Sequence, residues 1–521
     1  MSILLNRTFR TAFLLIFLAE LLSFLGYFYS AVNKAGFLAI ALITLILSFY
    51  KLEYGVLILL AELFIGSKGY LFYFDFGGFS ISIRIALWLI VMAVWAGKTI
   101  SGYIKNKKLE VEFLKSSYFS YFLILFIFIT WGVINGILRG NSFNNLFFDF
   151  NGWLYFLLVF PIYDVICGAQ NVETPRFKVE ASLQKIPQPP FIKGVMQVFI
   201  AAIIWLSIKT FFLLFIFSHS SMDSAYEIYR WVRTSGVGEI TNVQGGFYRI
   251  FFQSHIFALI GFFIFLMISA FKNFEFKNKK LLTSYFLLLT LLLSVILITF
   301  SRSFWIGMIA GLILFFAVFV WQKISVEKIL KIVLNIILAV VLGFLLIIAI
   351  VKFPFPKPIE GFNTADLLSE RVSNLNESAV ASRWELLPPL WREIKSAPIL
   401  GKGFGATVSY QSSDPRVLQL SPSGEYTTYA FEWGWLDIWL KLGIGGVVAY
   451  IFLIGKIIVD GLIKIFNEFK IISGLIIGIA VISVVNIFTP YLNHPLGIGY
   501  LILVSVILNK KGVLKLTPGA K

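Results

Sequence analysis

Cysteine is almost absent: Cys167 is the single thiol in 521 residues, so no disulfide can form within the chain. Histidine is nearly as scarce. His219, His255 and His494 lie far apart, with no H-x-x-x-H or C-x-x-C pair, and no structural zinc site is expected. Charged residues make up 14% of the chain, against about 25% in soluble domains. No stretch alternates apolar and polar residues over about ten positions, which excludes a transmembrane β-barrel. The segment PILGKGFG, Pro398–Gly405, lacks the G-x-x-x-x-G-K-[ST] spacing and a preceding strand, so it is read as a tight turn that packs on helices, not as a nucleotide loop. There is no internal repeat and no low-complexity tract.

What the chain has is hydrocarbon. Hydrophobic residues reach 59%, in repeated apolar runs of roughly 17–22 residues, the length that crosses a bilayer as a helix. The expected fold is an all-α polytopic membrane protein with about 12–14 transmembrane helices and one large extracytoplasmic helical loop. Candidate spans fall near 11–29, 36–50, 53–67, 81–97, 118–138, 152–168, 194–217, 251–271, 281–300, 304–321, 332–351, 433–455, 471–488 and 496–508. They suggest three parts: an N-terminal bundle at 1–351, a helical loop at 352–432, and C-terminal helices with a tail at 433–521. Arg7 and Arg10 precede the first run without a small-residue cleavage site, so it reads as a retained helix.

The net charge of +17 needs no nucleic-acid partner. The basic stretches GKTISGYIKNKKLEVEFLKSS and KNFEFKNKK fit short cytoplasmic loops under the positive-inside rule. That assignment places both termini in the cytoplasm and the 352–432 segment outside. The proline-rich 169–193 stretch reads as a linker.

One arginine interrupts the longest apolar region. In LLLTLLLSVILITFSRSFWIGMIAGLILFFAVFVW, Arg302 stands between Ser301 and Ser303. At a bilayer centre it would cost at least about 2.5–3.5 kcal/mol. Two helices with Arg302 at the turn between them avoid that cost and pin it at the extracytoplasmic membrane edge. Arg249, at the start of a span, and Arg383, in the large loop, fall on the same side. Interfacial arginines can simply snorkel to lipid phosphates. Three on the face away from the basic loops point instead to a lipid-linked phosphate or pyrophosphate, since a planar guanidinium binds two phosphate oxygens at once.

Within 352–432, Leu368, Val372 and Leu375 have helical spacing. Ser382 and Glu385 form a capping-box pattern, and Trp384, Leu387, Trp391 and Ile394 form an apolar stripe. Pro388-Pro389 should kink or split that helix. Glu432 stands where the loop re-enters the membrane, beside Trp433 and Trp435. A carboxylate held against such rings would be desolvated and suited to general base catalysis. The alternative is a helix N-terminal charge favoured by the dipole. Asp437 and Lys441, one turn apart, should pair within the membrane.

Three stretches resemble the O-antigen ligase and O-antigen polymerase superfamily. ITFSRSFWIGMIAGLILFF is similar to its Ser-Arg turn opening a helix. SRWELLPPLWREIKSAPILGKGFG is similar to its Arg- and Gly-containing loop segment, and EWGWLDIWLKLGIGGVVAYIFL to the helix that follows. FYRIFFQSHIFALIGFFI is similar to an upstream arginine segment. The resemblance covers about 249–455. Counted back from Gly443, Glu432 stands where the family has histidine, and Lys441 where it has an acidic residue.

The resemblance implies glycosyl transfer on the extracytoplasmic face of a bacterial inner membrane, of polymerase or ligase type. The donor would be a polyprenyl-pyrophosphate-linked glycan, and the acceptor a glycan or glycolipid hydroxyl. Arg249, Arg302 and Arg383 would hold the pyrophosphate and Glu432 would act as base. No cofactor, metal or nucleic acid is expected, whereas the lipid bilayer and other polysaccharide-assembly membrane proteins are expected partners. The reading from another class is a polysaccharide or lipid-linked sugar transporter or flippase, which the long series of spans also suits; the absence of a repeat between halves argues against it.

Overall fold

The computed structural model describes residues 6–76, 79–167, 191–244, 247–272, 279–358 and 378–509. Helices dominate. In chain order they are α1 (Arg7–Phe28), α2 (Ser30–Tyr50), α3 (Leu52–Ile65), α4 (Ile83–Asn106), α5 (Phe119–Leu138), α6 (Phe143–Phe150), α7 (Val159–Cys167), α8 (Phe191–His219), α9 (Met222–Thr234), α10 (Ile256–Lys272), α11 (Lys279–Thr299), α12 (Arg302–Trp321), α13 (Val326–Val351), α14 (Ser378–Ser396), α15 (Pro415–Leu420), α16 (Gly434–Val485) and α17 (Pro495–Asn509). Among the described residues, ten helical segments are long and apolar enough to cross a membrane, and three more are apolar but shorter. The chain is a multi-pass α-helical membrane protein.

Strands are confined to three two-stranded antiparallel hairpins: β1 (Tyr73–Phe76) with β2 (Phe79–Ser82), β3 (Gly238–Gln244) with β4 (Phe247–Phe252), and β5 (Val408–Gln411) with β6 (Glu425–Thr428). The β3–β4 hairpin leads into α10, and α14 with the β5–β6 hairpin lies on the face where α10 and α12 begin. This is the loop-bearing face.

The helices before and after the loop form one bundle. α16 packs on α10, α12 and α5, and α8 packs on α1 and α3. Small residues allow the closest approaches: Gly307 and Gly311 of α12 abut Val481 and Val485 of α16.

Charges inside the bundle are paired. Glu20 of α1 meets Lys209 of α8 at 2.6 Å, both under 5% exposed. Glu62 of α3 meets Arg84 of α4 at 2.8 Å, and a second guanidinium nitrogen of Arg84 donates to the Ser67 carbonyl at 2.6 Å. A buried charge without a partner is far more costly than a matched pair, so each pair fixes two helices in register.

The Ser301-Arg302 junction is a turn, as expected from the sequence. α11 stops at Thr299, Phe300 adopts a left-handed φ of 46°, and Ser301 precedes α12 in extended conformation. Arg302 is the first residue of the next helix, not a mid-membrane charge.

The loop departs from the sequence reading in three ways. Pro388 and Pro389 lie inside a continuous α14; they do not split it. A helix-interior proline costs about 3 kcal/mol. Burial of Leu386, Leu390 and Ile394 against Ala406, Val408, Phe431 and Leu440 recovers roughly 1.5–3 kcal/mol per side chain. The buried stripe is therefore 386, 390 and 394, displaced from the expected one, and Trp384 and Trp391 sit on its flank. Ser382 and Glu385 do not cap the helix, which begins four residues earlier. The Ser382 hydroxyl bonds the Tyr410 and Ser412 hydroxyls at 2.9 and 3.0 Å, and Glu385 accepts from the Ser413 amide at 2.9 Å. These side chains tie α14 to β5 and the turn after it. Leu368, Val372 and Leu375 lie outside the described residues.

Candidate functional site

Two polar clusters lie on the loop-bearing face, on either side of the strap Tyr429–Trp433 that leads into α16.

The first contains the three arginines singled out in the sequence. Arg249 lies on β4, opposite Thr241 of β3, just before the span and not within it. Its Nε donates to the Thr299 carbonyl at 2.8 Å, and its guanidinium lies 5.1 Å from the centre of the Phe251 ring. The left-handed turn after Thr299 leaves that carbonyl free to accept, so the junction that exposes Arg302 also anchors Arg249. Arg302 opens α12, where the backbone amides of a helix N-terminus add to the positive potential. The neighbouring Ser303 bonds Ser301 at 3.0 Å and Thr489 at 3.1 Å. Arg383 comes from α14, and its backbone carbonyl accepts from the Trp433 indole at 3.0 Å.

These residues are 53 and 81 positions apart in sequence, yet the fold gathers them. Burial, with the charges of Arg249 and Arg302 adding to it, lowers the Arg383 pKa to about 10, while Glu239 opposes the shift. Burial likewise lowers that of Arg249, again against Glu239. The charges of Arg249 and Arg302 thus act on Arg383, with Glu239 as an opposing charge in the same cluster.

Glu432 is placed differently from the expectation. It is not desolvated against tryptophan rings: its side chain is 51% exposed and pairs directly with Arg383. Trp433 packs on Trp384, with ring centres 5.3 Å apart. Trp435 turns to the bundle, donating to the Ser483 carbonyl at 3.0 Å. A second carboxylate, Glu239 of β3, was missed by sequence reasoning. It lies 3.4 Å from Arg233 and within electrostatic reach of Arg249 and Arg383. Nothing in its local sequence marks it; only the β3–β4 hairpin brings it here.

The second cluster is buried. The expected Asp437–Lys441 pair is present, and Asp149 from α6 completes it, its Oδ1 2.5 Å from Lys441 Nζ. Asn493 donates to Asp437. The other oxygen of Asp149 accepts from the Gly405 amide at 2.9 Å.

That amide belongs to PILGKGFG, which packs on the helices as expected. Gly443 takes a φ of +72° inside α16. The carbonyls of Leu440 and Lys441 accept instead from the amides of Lys402 and Gly403, at 2.6 and 3.1 Å, and Ile444 donates to the Pro398 carbonyl at 3.0 Å. Gly401, at φ +69°, passes so close that a Cβ would lie 2.6 Å from the Gly443 nitrogen. The glycines are there so that two backbones can touch.

Residues 286–451 match a family model described as O-Antigen ligase, a stretch that includes Arg302, Arg383, Glu432, Asp437 and Lys441 but not Arg249 or Asp149. No curated protein matches the chain, and no solved structure matches it. The family's activity is glycosyl transfer of ligase or polymerase type. It is this stretch, 166 of the 521 residues, that is similar to the O-antigen ligase family.

Proposed function

We propose that this protein transfers a glycan from a polyprenyl-pyrophosphate-linked donor to a sugar hydroxyl of a glycan or glycolipid acceptor, on the extracytoplasmic face of a bacterial inner membrane. The observation that carries the reading is the convergence of Arg249, Arg302 and Arg383 at the membrane edge of the loop-bearing face. There the pyrophosphate of a lipid-anchored donor would lie at headgroup level, with its hydrocarbon chain in the bilayer.

The acceptor oxygen attacks the anomeric carbon. The bond from that carbon to the pyrophosphate oxygen breaks, and its electron pair leaves with the pyrophosphate. Arg302 and Arg249, with Arg383, stabilise the charge that develops on the leaving group. Glu432 takes the acceptor proton as the new bond forms. The donor already carries an activated bond, so nucleotide hydrolysis is unnecessary, and three guanidinium groups provide the counter-charge that a divalent ion would otherwise provide. Other polysaccharide-assembly membrane proteins would deliver the donor and take the product.

Arg302→Lys tests the phosphate role. A point charge cannot reproduce the two-pronged contact, and transfer from a lipid-linked donor should fall by about 10²–10³-fold with normal expression. Undiminished transfer would reduce Arg302 to a helix anchor. Orientation is tested by an impermeant maleimide on intact cells. Cys167, at the end of α7, should stay unlabelled, whereas Ser423→Cys, exposed on the loop, should be labelled. The reverse pattern would put the site on the cytoplasmic side.

A further inference from the structure

The contact between Glu432 and Arg383 has a consequence for how the site is loaded. Arg383 is one of the three arginines of the cluster, and its guanidinium holds the Glu432 carboxylate. That carboxylate is 51% exposed and Arg383 is 38% exposed, so both can be reached from outside. The pair also faces a local excess of cation: Arg249 and Arg302 bear on Arg383, and the opposing Glu239 is shared with Arg233 at 3.4 Å.

We propose that Glu432 stands in for donor phosphate on Arg383, and that donor binding displaces it and thereby releases the catalytic base. This rests on the reading of the arginine cluster as a pyrophosphate site. A pyrophosphate brings more charge and more acceptor oxygens than one carboxylate, so it wins the guanidinium fork. Once displaced, Glu432 lies beside an anion instead of a cation. An opposite charge favours the ionised carboxylate and a like charge disfavours it, so the same event that frees the group makes it readier to accept a proton. It then takes the proton of the acceptor hydroxyl while the anomeric carbon changes bonds, and returns it to solvent after the lipid pyrophosphate departs. The order of events follows: donor first, active base second.

The experiment measures binding and chemistry separately, on the full-length protein in detergent. Inorganic pyrophosphate is the binding probe and single-turnover transfer from a lipid-linked glycan is the rate probe. Glu432→Gln and Glu432→His should each tighten pyrophosphate binding by about 1.5- to 5-fold, the range of a partly exposed ion pair. Glu239→Gln, whose carboxylate does not contact Arg383, should tighten it less. In the same Glu432→Gln protein, transfer should fall by about 10²–10⁴-fold, so affinity and rate move in opposite directions. Glu432→His provides the second reading if Glu432→Gln folds poorly. Unchanged or weakened pyrophosphate binding in both Glu432 variants, with binding still lost in Arg302→Lys, overturns the displacement and leaves the pyrophosphate site standing. Equal tightening in Glu239→Gln also overturns it, because general charge would then explain the effect. If the wild-type protein binds no pyrophosphate, and Arg302→Lys transfers normally, the underlying reading falls together with the inference.

Discussion

The two polar clusters on the loop-bearing face are built from the same kinds of groups and behave oppositely. Asp149, Lys441 and Asp437 are each no more than 8% exposed at the side chain, and every one has a charged partner, with a backbone amide and an asparagine filling further positions. Arg383 and Glu432 are 38% and 51% exposed, and Arg383 faces two more arginines. The buried cluster, two carboxylates around one ammonium, holds α6, α16 and the glycine turn together. The half-open cluster is reachable from outside and gathers three guanidinium groups around one exposed carboxylate. The comparison separates a fastening from a site, although both lie beside the same strap.

The sharpest way to break that comparison is to remove one member of each cluster and measure unfolding. Lys441→Met leaves two carboxylates buried without their cation, and should destabilise the protein by about 3–5 kcal/mol, read as a fall in the unfolding temperature in detergent. Arg383→Gln removes a partly exposed pair and should cost no more than about 1 kcal/mol, while weakening pyrophosphate binding. Equal losses of stability would show that the arginine cluster is also structural.

A smaller effect sharpens the role of the glycine turn. Gly401→Ala places a side chain at φ +69° against the backbone of Gly443, a strain of about 1–3 kcal/mol. It should lower stability and loosen the loop without removing any charged group. Unchanged stability would mean that the turn does not fasten the loop.

Much of the architecture was legible along the chain. The apolar runs gave the spans because each helix must hide its own backbone in hydrocarbon, a local requirement. Arg302 marked a turn for the same reason. Asp437 and Lys441 could be paired from spacing alone, since one helical turn brings them together. The positive-inside rule put the three arginines on one expected face, and the fold brings their charges within reach of Arg383. Local patterns failed where packing set the outcome: Ser382 and Glu385 have the spacing of a cap but were taken by Tyr410, Ser412 and Ser413.

What the sequence by itself determined is the bilayer-spanning character, the turn at Arg302 and the chemical kinds of residue on the loop-bearing face. These follow from hydrophobic length and from the cost of charge in hydrocarbon, which need no knowledge of neighbours. Only the tertiary structure decided that Asp149 completes the Lys441 cluster from a distant helix, that two prolines remain inside α14, and that Glu432 rests on Arg383 instead of against tryptophan. Each of those outcomes depends on which surfaces meet: a buried charge is stabilised by whatever opposite charge packing brings within reach, and an exposed carboxylate takes the nearest guanidinium.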